Sequence, residues 1–354
     1  MNKRIPVTIV TGFLGSGKTT VLRHLLNYSN LRLAVMINEF GDVGLDGDLV
    51  KNCNFCSEDE QANRIVELTN GCLCCTVQED FLPSMEVLLE RSSELDGIII
   101  ETSGLAFPKP LIQAIQWPQI RRKIFVNGVV TLVDGQALSK GSPVGDITSL
   151  EKQRQDDPNI DHLTPIDELF KDQLSVADLV LLSRSDVISN NSIDSIKNSF
   201  SSKIREGTMV IPISHGQVDP SIVLGLRDPE DLLFNNIDNN HSDNNDDHSH
   251  QHLNIISSSI RYEGLVNQQQ LQEYLLEICS QFQILRLKGR IWINGKSIPL
   301  QIQMVGPRLN SWYEPASNQA WKPRTSGLEL VVLSLKDGPT DSIDQWLNAR
   351  TNNF

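Results

Sequence analysis

The chain has 354 residues, of which 39% are hydrophobic, and carries a formal net charge of −13. This length exceeds what one core normally organises, so two domains are expected. With strong acidity and no long basic block, neither nucleic acid nor an anionic membrane is an expected partner. No apolar stretch approaches membrane-span length, and residues 1–6 lead straight into a strand pattern without a signal-peptide core, so the chain is read as cytoplasmic.

The first pattern in the chain is its most informative. An apolar run at 5–10 is followed by Gly12-Phe13-Leu14-Gly15-Ser16-Gly17-Lys18-Thr19 and then by a helix-compatible stretch at 20–27. This is the strand, glycine loop and helix of a G-x-x-x-x-G-K-[ST] phosphate-binding loop. Gly12, Gly15 and Gly17 let successive N–H groups face phosphate oxygens, with Ser16 and Thr20 on the flanks of the same cradle. Lys18 offers an ammonium to the β- and γ-phosphates, Thr19 a hydroxyl to Mg²⁺, and the helix start a positive dipole end.

Further strand patterns fall at 32–37, 97–100, 124–133, 179–182 and 209–213, with helix-compatible segments between most of them. The alternation predicts an α/β fold, a doubly wound and mostly parallel sheet with ligands at the carboxyl ends of the strands. After the second strand, residues 38–46 combine carboxylates with two glycines, the place of a switch loop that senses the γ-phosphate. Glu39 is the candidate there for the Mg²⁺ or its waters. The third strand pattern ends in Glu101-Thr102-Ser103-Gly104. Glu101 can hold Mg²⁺ or orient the attacking water, and Gly104 can bring a backbone N–H to the γ-phosphate. The run at 179–182 ends in Ser183-Arg184-Ser185-Asp186, which resembles the N-K-x-D guanine element. Asp186 can accept both N1–H and N2–H₂ of guanine, Ser183 forgoes the usual amide contact, and the stem of Arg184 can lie along the base.

Of six cysteines, five fall between Cys53 and Cys75. Cys72, Cys74 and Cys75, a C-x-C-C beside Gly71, can bring soft donors onto one transition-metal ion. Cys53 and Cys56 are either a second pair or unliganded thiols. Residues 226–254 form an Asn-, Asp- and Ser-rich linker in which His241, His248, His250 and His252 can capture divalent ions weakly or be incidental. Beyond it, patterns at 255–262, 268–280, 284–293, 298–305, 328–334 and 342–348 read βαββ, then β and α. That order suggests a smaller α+β domain of ferredoxin-like type over 255–354, after a nucleotide domain over 1–225. Four of the five tryptophans, Trp292, Trp312, Trp321 and Trp346, lie in it, mostly as expected core.

Together these residues resemble the CobW family of P-loop GTPases and metallochaperones, most closely its CobW branch. The matching features are 12–19, the 38–46 switch, 70–75, Glu101 to Leu105 with Pro108-Lys109-Pro110, and the histidine-bearing linker. The resemblance implies a GTPase that takes a divalent metal at Cys72, Cys74 and Cys75 in its Mg²⁺–GTP state and releases it on hydrolysis. It implies Co²⁺ delivery for cobalamin biosynthesis, with Zn²⁺ as the alternative cargo, and a cobalt chelatase or other metalloenzyme as acceptor. A monomer and a nucleotide- or metal-dependent homodimer are both open. A P-loop small-molecule kinase and a nucleotide-independent metal buffer are the rival readings.

Overall fold

A computed structural model describes residues 4–37, 65–67, 81–156, 164–225 and 254–351. The chain forms two compact units that part between Leu224 and Gly225. The strand, helix and strand that open the first unit are β1 (Ile5–Thr11), α1 (Lys18–Tyr28) and β2 (Leu33–Ile37). Next come β3 (Ile65–Glu67), α2 (Leu82–Glu90), β4 (Gly97–Glu101), α3 (Pro108–Ala114) and β5 (Ile124–Asp134). The short α4 (Gly135–Ser139) follows directly, then α5 (Ile147–Asp156), α6 (Ile166–Ser175) and β6 (Leu179–Ser183). The unit closes with α7 (Asn190–Phe200), β7 (Met209–Pro212) and α8 (Pro220–Leu224).

Among the described residues, the strands form one seven-stranded sheet in the order β3-β2-β4-β1-β5-β6-β7, every adjacent pair parallel. Parallel sheets covered by helices on both faces need strands that are buried along their length and mostly apolar rather than alternating. The strands obey this: each residue of β2, β4, β5 and β6 is buried. One apolar cluster packs Met85, Leu88 and Leu89 of α2 and Leu111 of α3 against Ile9, Met36 and Ile100. Another packs Leu169, Phe170 and Leu174 of α6 and Ile193, Ile196 and Phe200 of α7 against Val180 and Leu182. The helices are amphipathic at the spacing this requires, and Ser189 starts α7 by accepting a bond from Ser192 N at 3.2 Å.

Because β4 and β5 flank β1 on opposite sides, the chain reverses its winding direction there. The crevice this opens lies at the carboxyl end of β1, where the glycine loop begins. Two buried polar groups fix the rest of the sheet. Asp178, fully buried at the amino end of β6, accepts the Val129 N–H at 2.7 Å and pairs with Arg205. Asn127 sits where the β1–β5 register shifts, and its amide donates to Thr8 Oγ1 and to Leu224 O, each at 2.9 Å.

The second unit runs β8 (Ile256–Glu263), α9 (Gln268–Phe282), β9 (Ile284–Trp292), β10 (Leu300–Val305), β11 (Arg308–Tyr313), β12 (Gly327–Ser334) and α10 (Pro339–Thr351). Its sheet order is β11-β10-β9-β12-β8, with all neighbours antiparallel. Since β8 and β9 both pair antiparallel with β12, they run parallel to each other, which makes the split βαβ expected of a ferredoxin-like unit. One strand was not expected: β11, joined to β10 by a turn at Gly306 (φ 46°). Nor are the tryptophans mostly core. Trp292 is buried, but Trp312, Trp321 and Trp346 are half-buried, with Trp346 stacked on Tyr274 at 4.8 Å.

Candidate active site

The glycine loop has the backbone its composition predicts. Gly12, Gly15 and Gly17 take φ of 136°, 75° and 98°, values that favour glycine. At Gly12 space matters as much as dihedral: a Cβ there would lie 2.2 Å from Leu132 O and 3.0 Å from Ser16 Oγ. Gly17 caps α1, whose first N–H groups have no partner within the helix and face the crevice end of β1. Lys18 is buried, and its Nζ donates to Gly12 O at 2.9 Å and Phe13 O at 3.3 Å. Ser16 Oγ is buried without a hydrogen-bond partner. A buried hydroxyl of this kind beside a glycine cradle and an ammonium fits a phosphate oxygen. Thr19 is half-buried in the first turn of α1, whereas Thr20 is exposed.

Glu101 ends β4 beside Val10 of β1 and Ile37 of β2. Only 5% exposed, it places Oε1 3.9 Å from Lys18 Nζ. The Lys18 ammonium therefore lies between loop carbonyls and a carboxylate, within reach of an incoming phosphate. Thr102 Oγ1 donates to Thr11 Oγ1 at 2.9 Å, which joins the turn after β4 to the start of the loop. Gly104 approaches even closer: a Cβ on it would meet Leu14 N at 2.6 Å. Gln173 of α6, fully buried, holds this turn from behind, donating to Gly104 O at 3.1 Å.

The turn after β6 closes the other side. Ser183 faces Gly17 and donates to Val133 O at 3.2 Å. Arg184 is left-handed (φ 54°), and its guanidinium reaches Gly15 O at 3.2 Å and Asp134 Oδ2 at 2.5 Å. Asp186 follows in a 3₁₀ turn, its carboxylate one-third exposed and 3.7 Å from His215 Nε2. Ser185 Oγ bonds Ile213 O at 2.9 Å and lies 3.1 Å from Ser214 Oγ. It thereby joins the Asp186 turn to the turn after β7. Gly216 in that second turn packs on Thr20, where a Cβ would lie 2.7 Å from Thr20 Cγ2. The structure thus brings Gly12, Gly15, Ser16, Gly17, Lys18, Thr19, Thr20, Glu101, Gly104, Ser183, Arg184 and Asp186 to one edge of the sheet.

Sequence reasoning passed over Asp134 and the Ser214–Gly216 turn. Asp134 carries the signal that singled out Glu101, a carboxylate ending an apolar strand. A cleft of about 450 Å³ lies beside it, lined in part by Leu14, Gly15, Ala137, Val144, Asp146 and Arg184. Asp146 caps α5 there, and hydrogen bonds from Ser149 hold its carboxyl below the usual range. Glu39 with the rest of 38–46, Cys53, Cys56, Cys72, Cys74, Cys75, His241, His248, His250 and His252 lie outside the described residues. Their attachment points are described. β2 ends at Ile37 and β3 at Glu67, and both parallel strands end on the edge that carries the glycine loop.

The family model for the CobW/HypB/UreG nucleotide-binding domain matches residues 6–212, and the Cobalamin synthesis protein cobW C-terminal domain matches 255–349. The chain belongs to the CobW family. It is 40% identical to "Zinc chaperone CobW" of Sinorhizobium sp, with 94% of each chain covered. It is 41% identical to "Zinc chaperone CobW" of Pseudomonas aeruginosa over 88% of this chain and 83% of that one. Among solved structures, the Zn(II)-bound YjiA GTPase from E. coli aligns over 97% of each chain with a TM-score of 0.41 and 21% identity. As a CobW-family protein the chain is a P-loop GTPase, which agrees with the glycine loop, Glu101 and the turn after β6 converging on one edge. Among the described residues, no helix is long and apolar enough to cross a membrane.

Proposed function

We propose that this CobW-family GTPase is a metallochaperone whose cargo is Zn²⁺, taken at Cys72, Cys74 and Cys75 in the GTP-bound state and surrendered to an acceptor metalloprotein after hydrolysis. One observation carries the reading: a C-x-C-C motif and a complete phosphate-binding loop share a chain 40% identical, over 94% of its length, to a protein named a zinc chaperone. Thiolates suit Zn²⁺, and for a given site Co²⁺ binds more weakly than Ni²⁺ or Cu²⁺. Co²⁺ for cobalamin biosynthesis is the second reading, favoured by the description of the matching C-terminal domain.

The residues divide the work. The loop amides and Lys18 bind the β- and γ-phosphates, and Asp186 reads guanine. Mg²⁺, when bound, neutralises charge on those phosphates, and Thr19, with Glu101 and Glu39, would hold it directly or through water. Glu101 orients the water that attacks the γ-phosphorus. Residues 38–46 follow β2 in the chain, the turn 101–104 follows the adjacent strand β4, and the C-x-C-C follows β3, the next strand out. With strands about 4.8 Å apart, the end of β3 lies roughly 14 Å across the sheet from that of β1. A γ-phosphate that draws in the intervening segments can therefore change the thiolate geometry, and the coupling must be reciprocal.

The test is a competition titration of Zn²⁺ and Co²⁺ against a chelating dye, with Mg²⁺ plus a non-hydrolysable GTP analogue, with Mg²⁺ plus GDP, and for Cys74→Ser. The reading expects tighter metal binding in the GTP-analogue state, lost in Cys74→Ser, with zinc preferred. Equal affinities in both nucleotide states would refute the coupled cycle.

A further inference from the structure

Asp134 is a buried carboxylate, 3% exposed, at the carboxyl end of β5 and on the opposite side of β1 from Glu101. Its two oxygens are divided. Oδ1 accepts the Ala137 N–H at 3.1 Å and so caps α4, while Oδ2 takes Arg184 Nη1 at 2.5 Å. The second arm of the same guanidinium donates to Gly15 O in the middle of the phosphate-binding loop at 3.2 Å. Gly145 closes over the pair, since a Cβ there would stand 3.0 Å from Asp134 Oδ2 and 3.9 Å from Arg184 Nη1. Arg184 also holds a left-handed backbone that a non-glycine residue adopts only when its surroundings enforce it.

We propose that Asp134 is a positioning residue for nucleotide binding: its buried carboxylate seats Arg184 against the Gly15 carbonyl and ties the base-recognition turn to the phosphate loop. The inference rests on the GTP-binding half of the function above and on nothing in its metal half. The fork geometry explains why arginine works at this position. A guanidinium can satisfy a carboxylate and a carbonyl through separate nitrogens, and a lysine ammonium has no such planar fork. A ligand with both a base and phosphates gains from having the two halves held in register, because less ordering is left for binding to accomplish.

The test is a double-mutant cycle on the full chain, with Asp134→Asn, Arg184→Ala and both together, read as Kd for a fluorescent non-hydrolysable GTP analogue. Competition by inorganic tripolyphosphate is measured alongside. Asparagine caps a helix as well as aspartate does, so α4 keeps its start. Arg184 is about half exposed, so each single change is expected to weaken analogue binding by about fivefold. The double variant is expected at about fivefold too, not about 25-fold, because the pair acts as one unit. Tripolyphosphate, which touches only one half, should compete equally well against all four proteins. Arg184→Lys, which keeps the charge and loses the fork, should fall between wild type and Arg184→Ala. Wild-type analogue affinity in Asp134→Asn, multiplying losses in the double variant, or an equal loss of tripolyphosphate binding would each overturn the proposal. No metal cargo enters the assay, so these results stand whatever the zinc titration gives.

Discussion

Replacing Gly104 with alanine tests whether the turn after β4 sets the shape of the phosphate-binding loop. The new Cβ would sit 2.6 Å from Leu14 N, 3.1 Å from Phe13 C and 3.3 Å from Leu14 Cα, all backbone atoms. Ordinary contact begins near 3.4 Å, so about 0.8 Å of relief must come from one side or the other. The turn is held by Gln173 Nε2 on Gly104 O and by Thr102 N on Val10 O, so the loop is the side that yields. Overpacking of this kind costs about 1–3 kcal/mol. Displacing loop amides by nearly 1 Å is expected to cost more in function, with kcat falling by about 10²-fold. The Kd for a non-hydrolysable GTP analogue should rise by about tenfold, equivalent to about 1.4 kcal/mol. Gly97→Ala is the control. It lies at the amino end of the same strand, where a Cβ meets the flexible Leu33 Cδ2 at 3.2 Å, and it should leave nucleotide affinity unchanged. If folded Gly104→Ala bound the analogue within about twofold of wild type, the loop would be shaped independently of Gly104 and the reasoning would fail.

Lys18→Met should weaken binding of the GTP analogue by about 10²-fold, because it removes the cation among the loop carbonyls, while Cys74→Ser keeps that affinity when no transition metal is added. Asp178→Ala strips the Val129 N–H and Arg205 of a buried partner and should lower stability by about 3 kcal/mol in urea unfolding. Its nucleotide affinity should hold, since Asp178 lies at the amino end of β6, the strand's length away from Ser183 and the turn that follows it. Burial pushes the Cys279 thiol from 9.0 to about 12, so the unfolded chain loses that proton first as pH rises. Stability from this group is complete below pH 9.0 and declines toward pH 12 by up to about 1.4 kcal/mol per pH unit. The advantage of wild type over Cys279→Ala in the C-terminal unfolding transition, followed by tryptophan fluorescence, should shrink by roughly 1.6 kcal/mol between about pH 9 and 10.5. An unchanged difference would mean that the thiol ionises as easily folded as unfolded.

What could be read in advance depended on how local the cause was. The glycine loop was legible because each of its residue types answers a demand within eight positions, and Gly12, Gly15 and Gly17 took the dihedrals their identity allows. Strands β4 and β6 were legible as apolar runs ending in a polar residue, and β5 as a mostly apolar one interrupted by Asn127 and Thr131, since burial on both faces leaves no room for alternation. β11 was not. Arg308-Leu309-Asn310-Ser311-Trp312-Tyr313 is half polar without a clean alternation, and it becomes a strand by pairing with β10 across a tight turn. Asp134 was hidden for a related reason. A carboxylate after an apolar run marks an edge of the sheet, but only Arg184, fifty residues later, gives it a partner across the loop. Three of the four C-terminal tryptophans are only half-buried; the core of that unit is built instead from aliphatic residues such as Leu287, Ile291, Ile302, Leu330 and Val332, against which Trp346 packs from the side.

The bond from Asn127 to Leu224 O has a mechanical meaning. Leu224 is the last residue of the nucleotide unit, and the amide that grips it is rooted in the irregular step between β1 and β5, two strands from the interior of the sheet. A pull on the chain beyond Gly225 is therefore taken up at a buried anchor. The load passes into the sheet before it can peel α8 away, so tension on the chain need not loosen the nucleotide unit.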